Sequence, residues 1–273
     1  MTSSPPSSPA RSIADPLLDE AHVRLSVTDA RADVLLDNPD VRNAQTARTW
    51  FALARVPELL PPDVRVVVLS ASGASFSAGL DRRLFTGEPL PGTPSLHDLA
   101  RLSSADLDET IAGYQQAFTW WRAHDAVSIA AVHGHAVGAG FQLALATDLM
   151  LCADDVALAM RETSLGLVPD LGGTGRLVEQ VGYGRALEIC ATGRWVGADE
   201  AVRLGLAQAA VPAQSLPAAV DDLVAALLAT PAGALTATKR LLAGAGARTR
   251  RDQLAQERAA QVERLADLAR LLG

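Results

Sequence analysis

The sequence predicts an α/β protein in which short apolar strands pass through small-residue loops into helices, followed by a mainly helical C-terminal region. Three observations carry this reading. Residues 64–69 (Val-Arg-Val-Val-Val-Leu) and 128–132 (Ser-Ile-Ala-Ala-Val) are short, nearly continuous apolar runs, the pattern of buried strands. Each is followed by a loop of Gly, Ala and Ser and then by a helix start. From about residue 174 onward the apolar spacing is helical.

The elements follow in order. The stretch 1–16 is rich in Ser and Pro and lacks the apolar run of a signal peptide, so it is expected to be a disordered tail. Residues 23–27 alternate, 28–31 turn and 32–36 are apolar again, which reads as a hairpin. Residues 43–60 have helical spacing, with Trp50, Phe51, Ala54 and Leu59 as core positions and Pro61-Pro62 as the stop. A helix is expected to begin near Asp81, whose carboxylate is suited to cap it. After a turn-rich insertion at 89–94, residues 110–123 form a helix with Ile111, Tyr114, Phe118 and Trp121 on one side. A short helix at 141–146 precedes strands at 149–152 and 156–160. Helices are then expected at 174–181, 184–192, 198–204, 216–229, 233–243 and 250–272. The division is a tail at 1–16, a strand-and-helix core at 17–205 and a helical region at 206–273.

Composition narrows the function. A chain of 273 residues, 49% hydrophobic and 20% charged, suits one large domain with a sizeable core. The formal net charge of -7 disfavours a nucleic-acid binder, which needs a basic face. Lys239 is the only lysine, leaving almost no room for Schiff-base or P-loop chemistry. Cys152 and Cys190 each lie in an apolar run and read as buried, reduced thiols. No Cys-x-x-Cys pair occurs, and His133 and His135 lack a third ligand, so no metal is expected. No apolar run approaches the roughly 20 residues of a membrane span, and the default location is the cytoplasm.

The chemistry is carried by two loops of one design. One strand leads into Phe76-Ser77-Ala78-Gly79-Leu80-Asp81; the other leads into Gly138-Ala139-Gly140-Phe141-Gln142. Backbone N–H groups at a helix start have no intrahelical acceptor, and small residues let a ligand approach them. Two such groups aimed at one point make an oxyanion hole. A dinucleotide fingerprint would need a glycine at position 143, where Leu143 stands, and no Gly-x-Ser-x-Gly elbow is present.

The set of motifs resembles the crotonase superfamily, the enoyl-CoA hydratase/isomerase family, from about His22 to Leu242. The matching stretches are Asn38-Pro39 with Asn43-Ala44, the segment from Phe76 to Asp81, Gly134 with Gly138-Ala139-Gly140, and Glu162 through Gly166, Pro169 and Gly172-Gly173-Thr174. The resemblance implies a crotonase-like spiral of ββα repeats followed by C-terminal helices that assemble a homotrimer or a dimer of trimers. It implies an acyl-CoA thioester as substrate, with no further cofactor, and an oxyanion hole made by the N–H groups of Leu80 and Ala139. Ala78, Asp81, Arg82, Arg83 and Gly138 fall where the family binds its substrate. Arg42 lies where basic residues approach the CoA phosphates, or it serves as a surface ion pair.

Two positions that hold glutamates in family hydratases are Gln142 and Glu162 here. An amide does not ionise, so Gln142 can orient but cannot act as a base. Glu162 alone matches the isomerases that shuttle one proton with a single carboxylate. Asp170 matches a catalytic aspartate of dienoyl-CoA isomerases and the nucleophile of an aryl-CoA dehalogenase; its structural alternative is to cap the next helix. The expected function is an enoyl-CoA isomerase, with a hydratase and an inactive acyl-CoA-binding protein as alternatives. The final Arg/Glu-rich helix differs from the usual family C-terminus, which carries a basic residue that meets CoA on a neighbouring subunit.

Overall fold

The computed structural model describes residues 9–86, 88, 90 and 92–272. Strand β1 (Arg11–Ile13) and helix α1 (Pro16–Glu20) lead into the hairpin β2 (Val23–Thr28) and β3 (Arg31–Leu36). Helix α2 (Ala47–Leu59) is followed by β4 (Val66–Ala71), the short helices α3 (Arg83–Thr86) and α4 (Leu96–Leu99), and the long α5 (Ser104–Ala123). Strands β5 (Val127–Val132) and β6 (His135–Val137) precede α6 (Ala139–Ala146), and β7 (Leu149–Ala153) and β8 (Ala157–Ala159) follow. The remainder runs α7 (Gly173–Val181), α8 (Tyr183–Thr192), β9 (Val196–Gly197), α9 (Ala198–Leu204), β10 (Ala209–Val211), α10 (Leu216–Leu228), α11 (Ala232–Gly244) and α12 (Arg250–Leu272).

Part of the stretch expected as a tail, 1–16, is ordered. Arg11–Ile13 pairs antiparallel with β2, and the Asp15 side chain caps α1 by accepting the Leu17 N–H at 2.9 Å. Residues 1–8 lie outside the described residues. A Ser/Pro-rich composition hid a strand too short to show a period of two.

Among the described residues, one sheet has the order β1-β2-β3-β4-β5-β7-β10. Its first pairs are antiparallel and the run from β3 to β10 is parallel. A second, smaller sheet has the order β6-β8-β9. Isolated parallel bridges, Gln45 to Leu80 and Ser77 to Ala136, continue this second layer. The chain therefore alternates: a strand in the large sheet, an extended segment in the second layer, then a helix. This is the expected spiral of ββα repeats followed by helices.

The large sheet is covered on both faces, which is why β4 and β5 read as unbroken apolar runs. Val67 and Leu69 of β4 point into the main core, together with Phe76, Phe118, Trp121, Phe141 and Leu143. Val66 and Val68 point the other way, onto Leu216, Val220 and Val224 of α10. Phe51 is a correction: it is exposed, and it packs edge-on against Tyr114 at 5.7 Å while Trp50 fills the core position. Ala54 and Leu59 are partly buried against the core, as the spacing predicts.

Helix α11 is pinned by the only lysine. Lys239 Nζ donates to the carbonyls of Trp121 and Ala126 and to Asp148 Oδ2 at 2.7 Å, and Asp148 Oδ2 also accepts the Ser128 N–H and hydroxyl. A buried ammonium is tolerated only with such a full set of acceptors.

Candidate active site

The site is built where the two loops that follow β4 and β5 meet. The Ser77 N–H donates to the His135 carbonyl, and the Val137 N–H donates back to the Ser77 carbonyl. A buried polar network holds the first loop from below. Asn43 Nδ2 donates to the carbonyls of Ser72 and Ser75, and Ser77 Oγ donates to the Asn43 carbonyl at 2.8 Å. Gln45 Nε2 donates to Ser77 Oγ, and Gln45 Oε1 accepts the Trp50 indole N–H. The side chains of Asn43, Gln45 and Ser77 are all partnered and so fix the loop, while the buried Ser72 hydroxyl has no partner among the described residues. Sequence placed Ser77 in the first loop without a role of its own and did not single out Gln45; a serine and a glutamine beside small residues give no periodic signal.

Gly79 has φ +83°, and a Cβ there would collide with the Val137 carbonyl and lie 3.7 Å from the Ala139 nitrogen. This places Leu80, the next residue, beside the start of α6. Gly138 has φ +51° and ends the second loop; its own N–H is spent on the Ala159 carbonyl. The N–H groups of Leu80 and Ala139 have no acceptor among the described residues, as two donors reserved for a ligand require.

Glu162 and Gln142 come together beside this point. Gln142 is buried on α6, and its Nε2 donates to Glu162 Oε1 at 2.7 Å. Its Oε1 accepts the N–H groups of Leu171 at 3.0 Å and Gly173 at 3.2 Å. Glu162 Oε2 is buried and has no hydrogen-bond partner among the described residues. A Cβ on Gly138 would stand 3.3 Å from Glu162 Oε1, so the carboxylate borders the second loop. Burial pushes the Glu162 carboxyl above its ordinary value, helped by the negative charge of Asp170; its own backbone N–H and the Gln142 amide pull the other way. Burial also raises Asp170, opposed by its own backbone N–H.

Asp170 does not cap α7: the N-cap is Gly172, and no side chain caps that helix. The Asp170 carbonyl instead accepts Gln115 Nε2 from α5 at 2.7 Å. Asp81 caps as expected, accepting the Arg83 N–H at 2.9 Å, and its carboxylate is also paired with the Arg83 guanidinium at 2.7 Å. That pairing lowers the Asp81 carboxyl against the opposing effect of burial. Arg82 and Arg42 are exposed, and the Arg42 carbonyl accepts the N–H of exposed Ala78. Arg42 forms no ion pair among the described residues, so the surface-pair reading is not observed.

His133 and His135 are structural: His133 Nε2 meets the Gly73 carbonyl at 2.9 Å and His135 packs edge-on against Trp195. Cys152 is buried, whereas Cys190 is only partly so, which corrects the expectation for that thiol. Among the described residues no cluster could hold a metal ion. A cavity of about 190 Å³ lies behind Gln142, lined also by Phe118, Arg122, Ala146, Leu171 and Arg176. An open cleft of about 550 Å³ beside Asp154 and Glu200 shares no residue with the loops and has no part in the site.

Along most of its length the chain is similar to known proteins. The family model for enoyl-CoA hydratase/isomerase matches residues 28–269. The match therefore runs through α12, beyond the Leu242 limit read from motifs. A solved structure of a Thermobifida fusca YX protein in complex with acetoacetyl-CoA is 47% identical, with a TM-score of 0.88 over 92% of this chain and 97% of that one. Carnitinyl-CoA dehydratase of Citrobacter koseri is 33% identical over 77% of this chain and 75% of its own length. The human mitochondrial Delta(3,5)-Delta(2,4)-dienoyl-CoA isomerase is 33% identical over 71% of this chain and 60% of its own length.

Proposed function

The chain belongs to the enoyl-CoA hydratase/isomerase family, and from that premise we propose that it is an enoyl-CoA isomerase that moves a carbon–carbon double bond. The observation that carries this reading is the state of the two acid–base positions. Gln142 is a neutral amide whose carbonyl and one N–H are committed to protein partners, while Glu162 keeps one carboxylate oxygen unpartnered.

The steps follow from the groups present. The thioester oxygen of a 3-enoyl-CoA accepts the N–H groups of Leu80 and Ala139. Glu162 Oε2 removes a proton from carbon 2, and the electron pair moves onto the thioester oxygen as an enolate. The same proton is returned to carbon 4, so the double bond ends between carbons 2 and 3 and Glu162 is an anion again. Two preorganised donors lower the barrier because negative charge grows on the oxygen they face; losing one costs about 2.7–4 kcal/mol. A carboxyl held above its ordinary range by burial is a better match for a weak carbon acid than an exposed one. Exposed Ala78, Arg42 and Arg82 border the first loop and are the residues proposed to receive CoA; that a related Thermobifida protein was solved with acetoacetyl-CoA supports a CoA thioester as the ligand, not these residues in particular.

Hydration is the second reading, and Asp170 favours it, because its charge bears on Glu162 and it would supply a second ionisable group. The deciding assay offers a 3-enoyl-CoA and a 2-enoyl-CoA separately and identifies products by mass, since only hydration adds water. Isomerisation of the first should exceed hydration of the second. Conversion of the 2-enoyl compound to a 3-hydroxyacyl product, with no double-bond shift in the other, would overturn the isomerase reading.

A further inference from the structure

We propose that Gln142 is a positioning residue for Glu162, a latch that fixes one carboxylate oxygen and leaves Oε2 as the reacting atom. The orientation of the amide is dictated by its surroundings. The N–H groups of Leu171 and Gly173 both point at one end of the Gln142 side chain, and only an oxygen can receive them. The nitrogen is therefore turned to Glu162 Oε1, at 2.7 Å. The turn that supplies Leu171 is itself tied to α5, because Gln115 Nε2 donates to the Asp170 carbonyl at 2.7 Å. The result is a relay of fixed bonds from α5 through the turn and α6 to the carboxylate.

Glu162 needs such a hold. It opens the 3-10 turn Glu162–Leu165, and the residues that follow it, from Thr163 to Val168, are exposed. Only the carboxylate end is enclosed, by α6 and the Gly138 backbone. With Oε1 held, the unpartnered Oε2 has a single place. An amide does not titrate, so the latch stays closed at every pH at which the protein folds.

The latch also stabilises the ionised carboxylate against burial. The charged and titratable groups around Glu162 are Asp170, Cys190 on α8 and Arg161, whose guanidinium lies over Trp195 and donates to the Gly193 carbonyl. Asp170 and Cys190 supply no positive charge, which leaves the amide as the side-chain donor that favours the anion.

The latch rests on the isomerase reading only for its catalytic use, so its test does not depend on turnover. The full-length protein is labelled with ¹³C at glutamate carboxyls, and the Glu162 signal is identified by its absence in Glu162→Gln. In Gln142→Met the donor is gone while the side-chain length is kept. The Glu162 titration should then move upward by about one pH unit, the scale of one charge-assisted hydrogen bond. An unchanged titration in a variant with native circular dichroism would overturn the proposal. If Gln142→Met does not fold, Gln142→Glu serves: two carboxyl groups in hydrogen-bond contact should make Glu162 titrate in two coupled steps, and a single unshifted step would overturn it. A shifted titration in a protein that isomerises no enoyl-CoA would instead reject the reaction and leave the latch standing.

Discussion

Glu162 carries two consequences that separate by pH. As the proposed base it must be ionised, so activity should fall as pH drops through its raised value, earlier than for an exposed glutamate. Its burial also has a cost in stability. A carboxyl raised in the folded state binds more protons there than in the unfolded chain. Its contribution is favourable below the unfolded value and is lost as pH rises through the folded one. Replacing it with a neutral amide should therefore raise the melting temperature relative to wild type at pH 7, with the gain fading toward pH 4. The same variant, Glu162→Gln, should lose turnover by about 10²-fold or more while still binding CoA. Calorimetry at both pH values checks the stability, a CoA titration the binding, and a rate assay across pH the turnover; a melting difference that does not change with pH would show that Glu162 is not a strained carboxyl. Glu162 was legible in sequence because its motif reaches from Glu162 to Thr174. Its environment was not, because the partner amide is 20 positions away.

At the scale of elements, the proposed oxyanion hole depends on the contact between the two loops. Gly79→Ala forces a Cβ into the Val137 carbonyl at a positive φ that alanine avoids. The loops must part there, and one donor leaves its place. Turnover should fall by about 10²–10³-fold, the usual effect of losing one oxyanion donor. Gly175→Ala on α7 is the matching control, since nothing lies within 4 Å of its Cβ and alanine favours helix. It should leave activity intact and be neutral or slightly stabilising. Equal losses in both variants would show that the two-loop contact is not special. The loops themselves were visible as Gly/Ala/Ser segments after apolar strands. The network beneath them, Asn43, Gln45, Ser77 and Trp50, joins parts of the chain that no local pattern connects.

At the scale of the whole molecule, several large apolar side chains stand outside the core. Val168 is 69% exposed, Tyr183 71%, Leu187 51% and Trp195 47%, all between the Glu162 turn and α9. On α12, Val262 and Leu265 are exposed by more than half. Contiguous exposed apolar patches mark contact surfaces, and we propose that these side chains contribute to one. With the family resemblance, they support the trimer expectation. Light scattering after size-exclusion chromatography should give three, or six, times the 28.5 kDa chain mass. A mass of one chain at micromolar concentration would reject assembly. If Tyr183 lies in the proposed contact, Tyr183→Glu should lower the assembled mass, because it buries an unpaired charge there.

The sequence by itself determined the elements and the chemistry available to them. The longer strands and helices, the two small-residue loops, Glu162 as an ionisable group and Gln142 as a non-ionisable one follow from local periodicity and residue type, whereas the short strands β1, β6, β9 and β10 do not. Local pattern also fixed what was excluded, since one lysine and two isolated cysteines leave few alternatives. Only the tertiary structure decided which groups meet. It showed Arg11–Ile13 as an edge strand, Asp81 spent on Arg83, Asp170 released from capping, and the amide of Gln142 turned toward Glu162. The physical reason is that hydrogen bonds and burial act through space, whereas periodicity reads only neighbours along the chain. Side chains 20 or 30 positions apart acquire their protonation state and direction from a contact that neither segment contains alone.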